Sequence, residues 1–92
     1  MMYAKKIKMQ QGCAYSNNPQ EIAEIYVDGC NNPQFFGKAI LHDFLKKNPK
    51  SIKVNIWPYP DVAPAISSRG EKYVRSEAND TQNDNLLKLP RV

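Results

Sequence analysis

Along the first ten positions, Tyr3, Lys5, Ile7 and Met9 alternate with Ala4, Lys6, Lys8 and Gln10, and the odd positions carry most of the apolar mass. This period of two predicts a first strand with its odd residues turned to the core. Gly12 to Gln20 contains Asn17-Asn18-Pro19, where asparagine tolerates left-handed dihedrals and proline fixes its own, so the chain reverses here. Glu21 to Gly29 predicts a second strand, with Ala23, Ile25 and Val27 on one face. Asn32 then offers an N-cap and Pro33 a first helical position that needs no N–H, so a helix is expected from there to Asn48-Pro49. Phe36, Ile40 and Phe44 recur every four residues, with Leu41 and Leu45 beside them, which predicts an apolar helix face against a sheet. Lys46, Lys47 and Lys50 crowd its C-terminal end, where cations complement the helix dipole.

Beyond the helix, Ile52, Val54 and Ile56 alternate with Lys53, Asn55 and Trp57, and Ser51 to Trp57 reads as a third strand. Pro58, Pro60 and Pro64 lack ladder donors, so Trp57 to Pro64 is expected to be an extended loop. Ser67-Ser68-Arg69-Gly70 predicts a turn into a fourth strand, Glu71 to Ser76. The leucines of Asn85-Leu86-Leu87-Lys88-Leu89-Pro90 predict a short turn docked on the core, or a further short strand. The expected fold is α+β, ββαββ, with four mostly antiparallel strands and one helix in a single domain over residues 1–92.

Composition changes this picture little. A hydrophobic fraction of 41% and a charged fraction of 24% are those of a folded chain rather than a disordered one. Thirteen lysines and arginines against nine acids leave a charge of +4, within the ~2–8 that small domains carry for solubility alone. No apolar run approaches the ~20 residues of a membrane helix, and lysines interrupt the N-terminus where a signal peptide would need its apolar segment. A cytoplasmic protein with no membrane partner is the resulting expectation. Cys13 and Cys30 fall near opposite ends of the expected hairpin, roughly 33 Å apart at strand rise. A disulfide needs Cα atoms within ~7 Å, so both are expected to be free thiols. Two cysteines and one histidine also fall short of a zinc site, and no metal or other cofactor is expected.

The segment Ser68-Arg69-Gly70-Glu71-Lys72-Tyr73-Val74-Arg75-Ser76, followed by Asn79-Asp80-Thr81 and by Asp84-Asn85-Leu86-Leu87-Lys88-Leu89-Pro90, resembles the C-terminal signature of the family catalogued as domain of unknown function 3892. Members carry a strand ending in an aromatic-aliphatic-arginine-serine run, an Asp-containing turn and a terminal Asp-Asn-Leu motif ending in Leu-Pro. The resemblance implies a small protein of prokaryotic, plasmid or phage type and brings no activity or catalytic residue with it. The long Trp57 to Ile66 segment and the Asn-rich connection before the second strand depart from the pattern.

Candidate chemistry is sparse. His42 lies about opposite the Phe36–Ile40–Phe44 side of the predicted helix at ~100° per residue, which turns it to solvent, and Asp43, being adjacent, makes no dyad with it. Ser67, Ser68, Ser76, Cys13 and Cys30 are available nucleophiles, yet none occupies a strand-to-helix elbow, and a base and an orienting group are missing. Asp80 and Asp84 read as turn and cap residues. Arg75 is expected to clasp one of these carboxylates and so pin Leu86, Leu87 and Leu89 to the sheet. Isolated glycines make no phosphate-binding loop. Lys5, Lys6, Lys8, Lys53, Arg69, Lys72 and Arg75, interleaved with Tyr26, Trp57 and Tyr73, predict a basic sheet face suited to nucleic acid. Trp57 and Tyr59, stiffened by the prolines between and beside them, predict an aromatic loop that anchors a protein or a small anionic ligand. The expected function is thus a non-enzymatic binding or regulatory module, monomer or homodimer, with Trp57, Tyr59, Arg69, Lys72, Tyr73 and Arg75 as its candidate contacts, a nucleic-acid-binding accessory protein as the alternative, and a small enzyme uniting His42 or a cysteine with an acid as the third.

Overall fold

The computed structural model describes residues 1–77 and 84–92. Its first strand, β1 (Met2–Met9), pairs antiparallel with β2 (Ile22–Asp28), and the reversal between them ends in a 3-10 turn at Pro19–Glu21. The chain reverses here as expected, but Asn18 is in extended backbone and acts as a cap that accepts a hydrogen bond from the Gln20 N–H at 2.9 Å, rather than through a left-handed dihedral. The alternation within β1 differs from the simple reading. Ala4 and Ile7 are both buried although one is even and the other odd, because a register shift between Ala4 and Lys6 resets the phase. A second shift between Lys8 and Met9 does the same for Ile22, which is buried together with Ile25 and Val27.

The largest departure follows Pro33. Residues Gln34–Gly37 do not begin a helix but form β3, antiparallel to β2, with Phe36 opposite Ile25 and Phe35 opposite Tyr26. Two aromatic residues in sequence suit a pleated edge better than a first helical turn. The helix, α1 (Lys38–Lys47), starts at Gly37 without a side-chain cap. Its buried residues are Leu41, His42 and Leu45, while Ile40 is 64% and Phe44 37% exposed. The buried stripe is therefore rotated by about one residue, ~100°, from the expected one. That rotation carries His42, at 3% exposure, into the interior instead of to solvent.

After the helix, β4 is shorter than expected, covering Ile52–Val54, and runs parallel to β1. The first sheet thus has the order β3-β2-β1-β4. The proline-bearing segment also differs from the expected loop, since Val62–Ile66 forms β5 and pairs antiparallel with β6 (Lys72–Ser76). Pro64 sits opposite Val74 in this two-stranded sheet, where both strands are edges and a missing donor is tolerated. The predicted Ser67–Gly70 turn joins them: Ser67 Oγ accepts from the N–H groups of Arg69 and Glu71, and Gly70 takes φ +82°. The architecture is α+β, with one major helix and, among the described residues, six strands in two sheets rather than four in one.

The helix is packed against both sheets, and one core gathers Ala4, Ile7, Ile25, Leu45, Val54, Val74 and Leu86 from every layer. A 3-10 turn at Asn85–Lys88 docks Leu86 and Leu87 there, and Leu89 follows. The tail then lies along β1 as a parallel bridge between Arg91 and Ile7, with Ile7 N–H donating to Pro90 O and Val92 N–H to Ile7 O. The closing segment thus supplies both a helical turn and a strand-like contact.

Candidate functional site

One core joins the inward residues of the four-stranded sheet to the helix, the second sheet and the tail, and the residues that alternate with them are half-buried or exposed, which leaves the opposite side open. Inward positions on the strands are Ala4 and Ile7, Ile25 and Val27, Phe36, and Ile52 and Val54. Strand alternation then turns Tyr3, Lys6, Lys8, Glu24, Tyr26, Asp28, Phe35 and Lys53 outward. Register brings these into rows. Tyr3 lies between Asp28 and Lys53, Lys6 lies beside Tyr26, and Tyr26 lies beside Phe35.

Within those rows the aromatic rings and the lysines touch. Tyr26 and Phe35 meet edge to face with centroids 5.3 Å apart. The Lys6 ammonium sits 5.4 Å from the Tyr26 centroid and that of Lys8 5.9 Å from Phe35, within cation–π range. Lys5 is held by Asp28 and Lys53 by Asp61, each at 2.9 Å. The Asp28 carboxyl is pulled below its ordinary range, first by the hydrogen bond from Lys5 and then by the Gly29 N–H.

The aromatic loop joins this face. Tyr59 packs edge to face on Tyr3 with centroids 6.4 Å apart, and its φ of +60° is held by a backbone bond to Ile56 O. The Asn55 N–H donates to Ala4 O and the Val54 N–H to Pro60 O, so the start of the loop is tied to β1 and its end to β4. Trp57 projects from it at 80% exposure. The loop and the sheet face form one continuous surface, with Trp57, Tyr59 and Tyr3 at one end and Tyr26 and Phe35 at the other.

The remaining candidate residues lie elsewhere. Arg69 is in the β5–β6 turn, where it lines a polar cleft with Gln10, Gln20, Glu21 and Glu71. Lys72 reaches across to Asp43 on the helix at 2.9 Å. That contact, then the one with His42 Nδ1 at 3.1 Å, holds the Asp43 carboxyl below its usual range. Tyr73 and Arg75 belong to β6 in the second sheet, opposite Ala65 and Ala63. The expected single basic face is therefore divided: Lys6, Lys8 and Lys53 share one sheet with Tyr26, and Arg69, Lys72, Tyr73 and Arg75 sit on the other. Sequence reading missed Tyr3 and Phe35 as members of the open face. Their signal was masked by the phase shift in β1 and by the helical reading of residues 34–37.

Of the two carboxylates expected to meet Arg75, Asp84 is held by Ser76 instead. Asp84 accepts from the Ser76 N–H through both carboxylate oxygens, at 3.1 and 3.0 Å, from Ser76 Oγ at 2.8 Å and from the Leu86 N–H at 2.9 Å. Ser76 Oγ in turn accepts from the Asn85 N–H. Ser76 is the nearer partner because it is buried at the strand end, whereas Arg75 points outward as strand alternation requires. The other predicted partner, Asp80, lies outside the described residues. At Asp84 the segment that carries the leucines is held by serine rather than arginine.

Groups able to do chemistry are dispersed. Cys13 and Cys30 are free and lie beyond opposite ends of the β1–β2 hairpin. The Cys13 thiol donates to Glu21 Oε2 at 3.0 Å, and this bond raises its pKa while lowering that of Glu21, which also accepts from Ser16. A thiol held protonated by a carboxylate is a poor nucleophile. Among the described residues no group of three or more histidines, cysteines and acids is placed to hold a metal, and no helix is long and apolar enough to cross a membrane. Comparison with curated proteins and with solved structures finds no match. The Ser76–Asp84 clasp and the leucines it secures are the residues of the C-terminal signature, and residues 4–90 match the family described as Protein of unknown function (DUF3892), to which the chain belongs.

Proposed function

We propose that the chain is a binding module rather than an enzyme, and that it takes single-stranded nucleic acid on the open sheet face and the adjoining Trp57 loop. The observation that carries this reading is the juxtaposition of two aromatic pairs, Tyr3–Tyr59 and Tyr26–Phe35, with Lys6 and Lys8 on one face left free by the rest of the fold. Asp28 and Tyr26 are two residues apart on β2, which separates the rows by about 7 Å along the strand. Bases stack on rings of this kind without regard to sequence, at ~1–3 kcal/mol each. A base stacked on Tyr26 takes the place of the Lys6 ammonium, which then turns to a phosphate. Trp57 extends the stacking surface past the sheet edge.

The test is anisotropy of a fluorescein-labelled oligothymidine of roughly 12 nucleotides at several salt concentrations. Binding weakens linearly on a log–log plot, and Lys6→Ala with Lys8→Ala flattens the slope by about 1.4, the release expected from two single-strand phosphate contacts. Binding that ignores salt, or none at all, rejects the reading. The first of these outcomes directs the search to a protein or small anionic ligand at Trp57 and Tyr59.

A further inference from the structure

On the other side of the molecule, an apolar groove opens where β1 starts, β2 ends and β4 starts. Met2, Val27, Phe36 and Ile52 contribute from the four strands of the first sheet, and Ile40 and Phe44 form the wall on the helix. The groove arises from the rotation of α1: its buried stripe is Leu41, His42 and Leu45, which leaves Ile40 and Phe44 at the surface. Its volume of about 160 Å³ is close to the ~150 Å³ of an apolar cavity that holds a benzene ring. It is the size of one large side chain.

The charge beside it that is not taken up in a described ion pair is positive. Ile40, Phe44 and Lys47 stand at i, i+4 and i+7 along one stripe of the helix. Lys50 precedes Ile52 by two residues, and Lys46, Lys47 and Lys50 are all exposed. The nearby acids are engaged, Asp43 by Lys72 and Asp28 by Lys5, each at 2.9 Å. A second copy brings to this patch only carboxylates already paired within its own chain, Asp28 and Asp43, and a concave, one-residue groove receives an anchor rather than entering a lipid layer.

We infer that this groove docks an acidic peptide segment of a partner protein, with one aromatic or large aliphatic side chain seated between Ile40 and Phe44 and carboxylates on Lys47 and Lys50. The surface is separate from the open sheet face, so either can fail without the other.

A displayed library of random twelve-residue peptides, selected on the full chain and counter-selected on Ile40→Asp, tests it. Circular dichroism and a melting curve first establish that Ile40→Asp folds, and Phe44→Ser serves as a second counter-selection. The expected consensus has one large apolar residue flanked by two or more acids. A synthetic consensus peptide then binds at least tenfold more weakly to Ile40→Asp, and at least fivefold more weakly to Lys47→Glu with Lys50→Glu. No enrichment, a consensus without acids, or equal binding to the variants overturns the inference. So does light scattering that shows a dimer abolished by Ile40→Asp, which assigns the groove to a second copy. Retention on vesicles of anionic lipid that Ile40→Asp abolishes likewise overturns it in favour of a membrane.

Discussion

The clasp at the end of β6 and the aromatic surface around Trp57 use polar and aromatic groups in opposite ways. At the clasp, one carboxylate takes four hydrogen bonds and each donor is a neighbour in the fold. Around Trp57 and along the adjoining face, Tyr59 meets Tyr3 edge to face, the Lys6 ammonium lies over the Tyr26 ring, and Trp57 itself is 80% exposed. The family signature coincides with the first region. A sequence motif of this kind marks what holds the domain together, and the surface that meets a ligand has to be found where the structure spends nothing on itself.

Substitutions at the clasp sharpen that contrast most. Asp84→Ala removes the acceptor of a buried network and the cap of the last turn, and is expected to cost about 2–4 kcal/mol. Ser76→Ala is expected to cost about half as much, roughly 1–2 kcal/mol, since the backbone N–H of residue 76 still reaches the carboxylate. Urea denaturation measures both. A loss below about 0.5 kcal/mol for Asp84→Ala, the range of ordinary surface changes, would show that the leucines alone secure the tail.

The reverse result is expected on the aromatic surface. Trp57→Ala should shift stability by less than about 0.5 kcal/mol and weaken oligothymidine binding about tenfold, in keeping with one lost stacking contact of ~1–3 kcal/mol. If the same variant melts early, the tryptophan belongs to the structural region and the contrast fails there.

A smaller effect follows from Asp43, whose carboxyl is lowered by Lys72 and then by His42. A depressed folded-state pKa contributes stability that is complete above the unfolded value and disappears as pH falls through the folded one. Lys72→Ala should therefore raise the Asp43 titration, followed by carboxyl NMR, toward the ordinary aspartate range. An unmoved curve would leave His42 as the main cause. The group is exposed and the change in melting temperature should be slight.

How legible all this was depends on whether a local pattern had to compete with a tertiary one. The Ser67–Gly70 turn, the reversal at Asn-Pro, the existence of the second strand and the docked leucines rest on local chemistry and appear as read, although Ile22 takes the buried place expected of Ala23. Residues 34–37 carried a helical start signal in Asn32-Pro33, yet pairing of Phe35 and Phe36 with β2 outweighed it. The helix face was misjudged because Ile40, Leu41, Phe44 and Leu45 offer two overlapping stripes, and only packing against two sheets chooses Leu41 and Leu45. For the site, Trp57 and Tyr59 were visible as an exposed aromatic loop. Tyr3 and Phe35 were not, since a bulge and an unexpected edge strand decide which way they point.

The bridge between Ile7 and Arg91 bears on how the chain is made. β1 emerges from the ribosome well before the tail, and its flank beyond Ala4 is paired by Pro90 to Val92, more than eighty residues later. Contacts so distant along the chain form slowly, because the intervening loop has to be closed first. Until then that flank of β1 is an open edge able to recruit a strand from another nascent chain. Its lysines at positions 5, 6 and 8 fall where like charge keeps such edges apart during synthesis.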